Sequence, residues 1–306
     1  MERQVTAIRF VDAHMHLWDL ARIDYPWLMP GSTADGPNGD VTPIARNFGL
    51  DDYRAALARW NLAGMVHVEA GAAPQCALDE TAWLDALREC GGAPNGIVAF
   101  ATLDDPNLGA ALAAHASHRG VRGVRHIVNW HPDARRTYTD RDLLQDENWA
   151  RGYALLERHG LSFDLQCYPG QMAAMARVAE RHPGVSIIIN HMGMPVLTDP
   201  TGLADWREGL QTLAMLPHAA VKISGMGFAI RDWTASQIRP LILETIEIFG
   251  TERCMFASDL PTDLLFGTVD RYMETYHEAV HDFSDAERQA MFGTNANRIY
   301  RLELDL

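Results

Sequence analysis

The chain has 306 residues, a formal net charge of −14 and 47% hydrophobic residues. Such an acidic balance repels phosphate backbones and anionic lipid, so nucleic acid and membrane surfaces are set aside as partners, and no run approaches the roughly 18 apolar residues of a bilayer span. Cys76, Cys90, Cys167 and Cys254 form no C-x-x-C pair and are too sparse for a disulfide framework, which with the lack of a signal-peptide core after Met1-Glu2-Arg3-Gln4 leads to an expected cytoplasmic location.

The first predicted strand, residues 7–13, runs into His14-Met15-His16. Side chains two apart on an extended strand point the same way, so two imidazoles converge from one short segment, and Trp18 shares their parity. Gly31 to Asp40, with Gly31, Gly36, Pro37 and Gly39, reads as a loop long enough to fold over a pocket mouth. Further strands are expected at 63–69, 95–102, 120–127, 161–167, 185–190, 219–224 and 253–258. Segments with helical length and a polar face lie between them: Asp51 to Asn61, Leu78 to Cys90, Pro106 to His118, Asn148 to His159, Gln171 to His182, Gly202 to Leu216, Ser236 to Phe249 and Thr268 to His281. Val185-Ser186-Ile187-Ile188-Ile189 is almost continuously apolar, as a strand covered on both faces would be. Ser284-Asp285-Ala286-Glu287 has the pattern of a capping box opening a terminal helix. Eight repeated βα units predict an α/β protein, a single-domain (β/α)8 TIM barrel over residues 1–306, with a doubly wound open sheet as the competing architecture.

In a barrel of this kind the chemistry sits at the C-terminal ends of the strands. The polar residues fall there: His14 and His16 after strand one, His67 and Glu69 on strand two, Arg125 and His126 on strand four, and Asp164, Gln166 and Tyr168 around strand five. Asn190 and His191 follow strand six, Lys222 and Ser224 close strand seven, and Asp259 follows strand eight. For His67, Asp164 and Lys222 the plainer reading is a turn or cap role. Four potential ligands or acid–base groups, His14, His16, His191 and Asp259, make a site.

Val11-Asp12-Ala13-His14-Met15-His16-Leu17-Trp18, Asp24-Tyr25-Pro26-Trp27-Leu28, Gly123-Val124-Arg125-His126, Phe163-Asp164-Leu165-Gln166, Asn190-His191-Met192-Gly193-Met194-Pro195, Val221-Lys222-Ile223-Ser224-Gly225 and Met255-Phe256-Ala257-Ser258-Asp259-Leu260-Pro261 together resemble the amidohydrolase superfamily. More narrowly, they resemble its branch of sugar-lactone and pyrone-dicarboxylate lactonases, over nearly the whole chain. The resemblance implies a (β/α)8 barrel that opens a small cyclic ester. Superfamily metal centres generally use the strand-one histidines, a lysine or glutamate on strand four, histidines on strands five and six, and the strand-eight aspartate. Here strand four offers no lysine and strand five reads Asp164-Leu165-Gln166-Cys167, so a binuclear centre is not expected. A single Zn²⁺ could be held by some of His14, His16, His191 and Asp259; the expectation is that no metal is essential.

Lactone opening needs an activated water, polarisation of the carbonyl and a proton for the leaving oxygen. Asp259 is the expected general base, and His14, His16 and His191 are the expected electrophilic groups. By the resemblance, Arg125 matches an arginine that grips a substrate carboxylate. The chain continues Ile127-Val128-Asn129-Trp130-His131 without a second arginine, which favours a neutral sugar lactone or a monoacid over a dicarboxylate pyrone. Trp18, Tyr25, Glu69, His126 and Tyr168, together with Arg125, are the expected substrate-binding residues, and Trp27 and Trp130 are candidates for the lining or for plain core. The competing readings are a Zn-dependent decarboxylase or hydratase on the same barrel and a non-catalytic ligand-binding barrel. The expected partner is a small-molecule lactone, with homo-oligomer formation left open.

Overall fold

The computed structural model describes residues 8–29, 31 and 36–306. Met1 to Gln4, Ala7 of the first expected strand and residues 32–35 of the glycine-rich loop lie outside the described residues. Eight strands, β1 (Phe10–Met15), β2 (Leu62–Val68), β3 (Gly96–Phe100), β4 (Val121–Arg125), β5 (Ser162–Leu165), β6 (Ile187–Ile189), β7 (Ala219–Ile223) and β8 (Cys254–Phe256), form one sheet in chain order. Each is parallel to the next. The circle closes at the strand ends, where the Asp259 amide donates to the His14 carbonyl, the His16 amide donates to the Leu260 carbonyl, and Met15 bridges Leu260 in parallel. This is the expected (β/α)8 barrel.

Helices α1 (Leu50–Ala56), α2 (Ala77–Gly91), α3 (Leu108–Ala116), α4 (Glu147–His159), α5 (Met172–Glu180) and α6 (Gly202–Ala214) follow the first six strands. A one-turn α7 (Met226–Ala229), absent from the sequence reading, precedes α8 (Ala235–Phe249), and α9 (Val269–Ala279) follows the last strand. α4 shows why these segments are helical: Trp149, Gly152, Tyr153 and Leu156 recur at helical spacing and are buried, the Asp146 carboxylate accepts from the Asn148 amide at its start, and left-handed Gly160 ends it. Ser284 caps α10 (Asp285–Gln289) in the expected capping box, and a π-helical turn leads into α11 (Asn295–Ile299). α1 stops at Ala56, short of the expected Asn61, because Leu57 leaves helical geometry and the chain turns before β2.

Inside the barrel Val11, Ala13, Val66, Val68, Val98, Ile188, Ala220 and Met255 pack together, with Tyr300 and Leu302 from the C-terminal segment in the same cluster. This apolar floor leaves only the upper strand ends for polar side chains. β1 shifts register against β2 between Asp12 and Met15. Such an irregularity re-aims side chains, and its effect is visible here: Asp12 bonds Tyr53 of α1 while His14 and His16 approach Asp259. Among the described residues no helix is long and apolar enough to cross a membrane.

Candidate active site

The strand ends bring His14, His16, His191 and Asp259 together, as the sequence reading required. His14 Nε2 and His16 Nε2 lie 3.4 and 3.3 Å from Asp259 Oδ1, and His191 Nε2 lies 4.0 Å from the same oxygen. All four residues are buried. Asp259 sits in the left-handed region at φ 53°, which aspartate tolerates better than most residues, and its backbone is fixed from both sides. The Asp12 carboxylate accepts from the Ser258 amide and from its hydroxyl, from Tyr53 OH and from the His14 amide, so one buried acid ties the end of β8 to β1. Burial pushes Asp12 up to about 6, against those four hydrogen bonds.

Each imidazole is held by its second nitrogen. His16 Nδ1 donates to the Val68 carbonyl at 2.7 Å, and His191 Nδ1 is 3.0 Å from Ser224 Oγ. His14 Nδ1 faces the Lys222 ammonium nitrogen at 3.3 Å. Burial holds all three rings below the ordinary histidine range, His16 at about 3 and His191 at about 4, so they are neutral near pH 7. Burial raises the Asp259 carboxyl above the ordinary carboxylate range, opposed by His191, Arg125 and Lys222. Its Oδ2 and the His14 Nε2 are buried without a hydrogen-bond partner among the described residues. Gly225 is required here: at φ +65°, it passes so close to His191 that an added Cβ would sit 2.7 Å from the ring.

A cavity of about 270 Å³ opens over this group. Its wall includes His16, His191 and Asp259, with Arg125 and Gln166 from the strand ends, Trp27 and Phe228 as aromatic surfaces, and Asn38, Tyr138 and Thr262 as further polar groups. Tyr138 OH donates to Asn38 Oδ1 at 2.9 Å, joining the loop after β4 to the glycine-rich loop. Trp27 reaches the site because Gly71, at φ +72°, leaves room for its ring, and its Nε1 donates to the Ala70 carbonyl. Arg125 is the expected residue in the expected place, but its donors are engaged: Nε donates to Glu69 Oε1 and Nη2 to the Glu69 carbonyl, each at 2.6 Å, and Nη1 donates to Gln166 Oε1 at 3.0 Å.

The other expected binding residues stand outside the cavity wall. Glu69 supports Arg125 from behind. Trp18 is buried, with Nε1 donating to the Arg46 carbonyl and its ring beside His16 at 6.5 Å. Tyr25 is buried and donates to Glu80 Oε1. His126 follows Arg125 with the opposite parity, so its Nδ1 accepts from Leu103 N and Trp149 Nε1 on the helix side. Tyr168 lines a separate outer cavity that shares Tyr138 and Phe228 with the inner one, and Trp130 lines a third. Asp164 and Lys222 are neither turn formers nor caps. Lys222 Nζ donates to Asp164 Oδ1, which also accepts from Tyr300 OH, and this fully buried group lies against His14. Asn38 and Tyr138, on loops, and Phe228, on the one-turn α7, escaped the sequence reading because segments so short or irregular carry no periodicity; the lysine left a signal in composition, being the only one in the chain.

His14, His16 and Asp259 each offer one atom, and these atoms lie within 4.8 Å of one another, a spacing that suits one divalent ion. Hydrogen bonding fits such an ion at His16, whose Nδ1–H leaves a lone pair on Nε2, and at Asp259. It does not fit at His14, where an ammonium facing Nδ1 assigns the proton to Nε2, and a protonated ring nitrogen is no ligand.

The amidohydrolase family model matches residues 11–302. The uncharacterized protein y4mH of Sinorhizobium fredii is 38% identical, with 96% of this chain and 99% of that protein covered. An L-fucono-1,5-lactonase of Burkholderia multivorans is 30% identical over 95% of this chain and 96% of its own length. A crystal structure of a Burkholderia multivorans amidohydrolase with bound zinc superposes with a TM-score of 0.79 at 28% identity, covering 97% of this chain and 99% of that one.

Proposed function

The chain belongs to the amidohydrolase family, and from that premise we propose that it is a carboxylic-ester hydrolase that opens the lactone of a sugar acid. The observation that carries the reading is the Asp259 carboxylate, with one oxygen unpartnered and the other facing three imidazole nitrogens under a cavity sized for one small ring. A water bound at Asp259 gives up its proton to the carboxylate as its oxygen attacks the lactone carbonyl carbon. The raised proton affinity of Asp259 strengthens it as a base. Charge then builds on the carbonyl oxygen, where a neutral imidazole N–H is the donor available; one such donor is typically worth about 10²–10³ in rate. When the ring carbon–oxygen bond breaks, the departing alkoxide takes the proton from Asp259, which restores the carboxylate and leaves the hydroxy acid. No step draws on a metal ion.

Two features favour a neutral hydroxylated ring over a dicarboxylate. The Arg125 charge is already matched by Glu69, and the wall pairs the Trp27 and Phe228 faces with Gln166, Asn38, Tyr138 and Thr262, groups that exchange hydrogen bonds with hydroxyls. The L-fucono-1,5-lactonase relative supports the same class.

The test is a panel of sugar and aromatic lactones followed by acid release with a pH indicator, on wild type and Asp259→Asn, after extensive chelation. Turnover by wild type and a loss of about 10³-fold or more in the variant is the expected result. Equal rates would remove Asp259 as the base. Zinc-dependent decarboxylation or hydration with no lactone turnover would put the lyase reading first, and lactone binding without turnover by wild type would put the binding-barrel reading first.

A further inference from the structure

We propose that Lys222 is a positioning residue that fixes the tautomer of His14, so that His14 presents Nε2–H to Asp259 and does not serve as a metal ligand. The inference rests on the lactonase reading for the role of that N–H, but not for the tautomer itself.

Of the 26 lysine and arginine residues in the chain, Lys222 is the single lysine, and it is fully buried at the end of β7. Everywhere else this sequence meets its need for a cation with arginine. A guanidinium is a wide planar fork, whereas an ammonium is a compact point with three donors. Three groups surround the Lys222 ammonium: Asp164 Oδ1 at 2.5 Å, His14 Nδ1 at 3.3 Å and the ring of Tyr300 with its centroid at 5.3 Å. Asp164 Oδ1 also accepts from Tyr300 OH at 2.8 Å, so one oxygen serves two donors and pairs with Lys222. An ammonium has no lone pair. Facing it, His14 Nδ1 must accept, and a neutral imidazole that accepts at Nδ1 carries its proton on Nε2.

That proton has a destination. Among the described residues, buried His14 Nε2 faces no polar partner other than the Asp259 carboxylate oxygen 3.4 Å away. His16 is wired the opposite way, with Nδ1 donating to Val68 and the Nε2 lone pair facing Asp259. The two histidines of one strand thus differ in chemistry although their spacing makes them look equivalent: His14 donates and His16 accepts. Metal-binding histidines usually donate their outer N–H to a carboxylate or carbonyl; His16 has that arrangement and His14 has its inverse.

The decisive measurement is the ring ¹⁵N spectrum of the wild-type protein labelled at histidine, with the His14 signals identified by their loss in His14→Gln. The expected result is a pyridine-type Nδ1 and a protonated, pyrrole-type Nε2 at neutral pH; a protonated Nδ1 on His14 overturns the proposal, whether or not any lactone is hydrolysed. The companion variant Lys222→Met/Asp164→Asn removes both buried charges and leaves Tyr300 an acceptor. Its expected kcat is lower by about 10- to 100-fold with KM changed less than about threefold, and its affinity for added Zn²⁺ is higher than that of wild type, because Nε2 is released as a ligand. A folded double variant with wild-type kcat and unchanged Zn²⁺ affinity overturns the proposal. Absence of lactone turnover in wild type, with the Nε2–H tautomer present, defeats the lactonase reading alone.

Discussion

Glu80 gives the structure a pH dependence that one substitution should erase. It sits on α2, buried, with Oε1 accepting from Tyr25 OH at 2.9 Å and from the Ala70 amide at 3.3 Å. Burial first, and the nearby Glu69 charge second, push its carboxyl from 4.5 up to about 8. The folded chain therefore binds a proton that the unfolded chain releases, so this contribution to stability is complete below 4.5 and is lost as pH rises through about 8. Within that window each pH unit costs up to about 1.4 kcal/mol, which sets a ceiling of about 5 kcal/mol for the whole rise. Glu80→Gln keeps a carbonyl acceptor for both donors and cannot ionise. Urea unfolding of both proteins from about pH 5 to about pH 8 at constant ionic strength should show the variant gaining on wild type by about 2–4 kcal/mol across the range. The two proteins share every other ionisable group, so the difference between their profiles reports Glu80 together with its repulsion of Glu69. Parallel profiles would refute the reasoning and mean that Glu80 is ionised beside Glu69 in the folded state.

Further outcomes follow from the site. Gly225→Ala forces a Cβ against the His191 ring and a side chain into left-handed backbone; a stability loss of about 1–3 kcal/mol by urea unfolding and a kcat reduced by at least about tenfold are expected, and unchanged kinetics would remove His191 from the transition state. Arg125→Met leaves Glu69 buried without its cation and should cost about 3–5 kcal/mol in the same assay, much of it recovered in Arg125→Met/Glu69→Gln. Because Asp259 acts as its anion and burial raises its pKa, kcat/KM corrected for spontaneous hydrolysis should climb with pH through a limb whose midpoint lies above the ordinary aspartate value of 3.8. Residual activity of Asp259→Asn should lack that limb; a shared limb would assign it to another group.

The barrel was legible because its signal is redundant: eight apolar runs, each followed by a helical segment, leave little room for another closure, and even a three-residue strand such as β6 was marked by continuous isoleucine. His14, His16, His191 and Asp259 were legible for the same reason, as polar residues ending strands whose bodies are apolar. What failed was direction. Arg125 and His126 are adjacent and cannot both face inward, so accepting Arg125 already assigned His126 to the Trp149 side. Asp12 shares parity with His14 in sequence, yet it bonds Tyr53, because the register shift in β1 falls between them, and nothing in Phe10-Val11-Asp12-Ala13 announces a bulge. Tyr25 and Trp27 are two apart in one loop, where no period applies; the space above Gly71 decided that the tryptophan would line the cavity.

Asp12, Asp164 and Asp259 show how one residue type divides its work by surroundings. Asp12 accepts four donors and is spent on joining β8 to β1. Asp164 accepts a lysine and a tyrosine and is spent on holding a cation against His14. Among the described residues Asp259 and Asp164 each keep one buried oxygen without a hydrogen-bond partner, that of Asp164 beside its own counter-ion. The difference that matters is access. Asp259 forms part of the cavity wall and Asp164 does not, so of the two only Asp259 is placed to meet a water and, on the proposed reading, a lactone. On the proposed reading, reactivity in this barrel is set by which carboxylate the hydrogen-bond network leaves unfinished at a surface that substrate can reach.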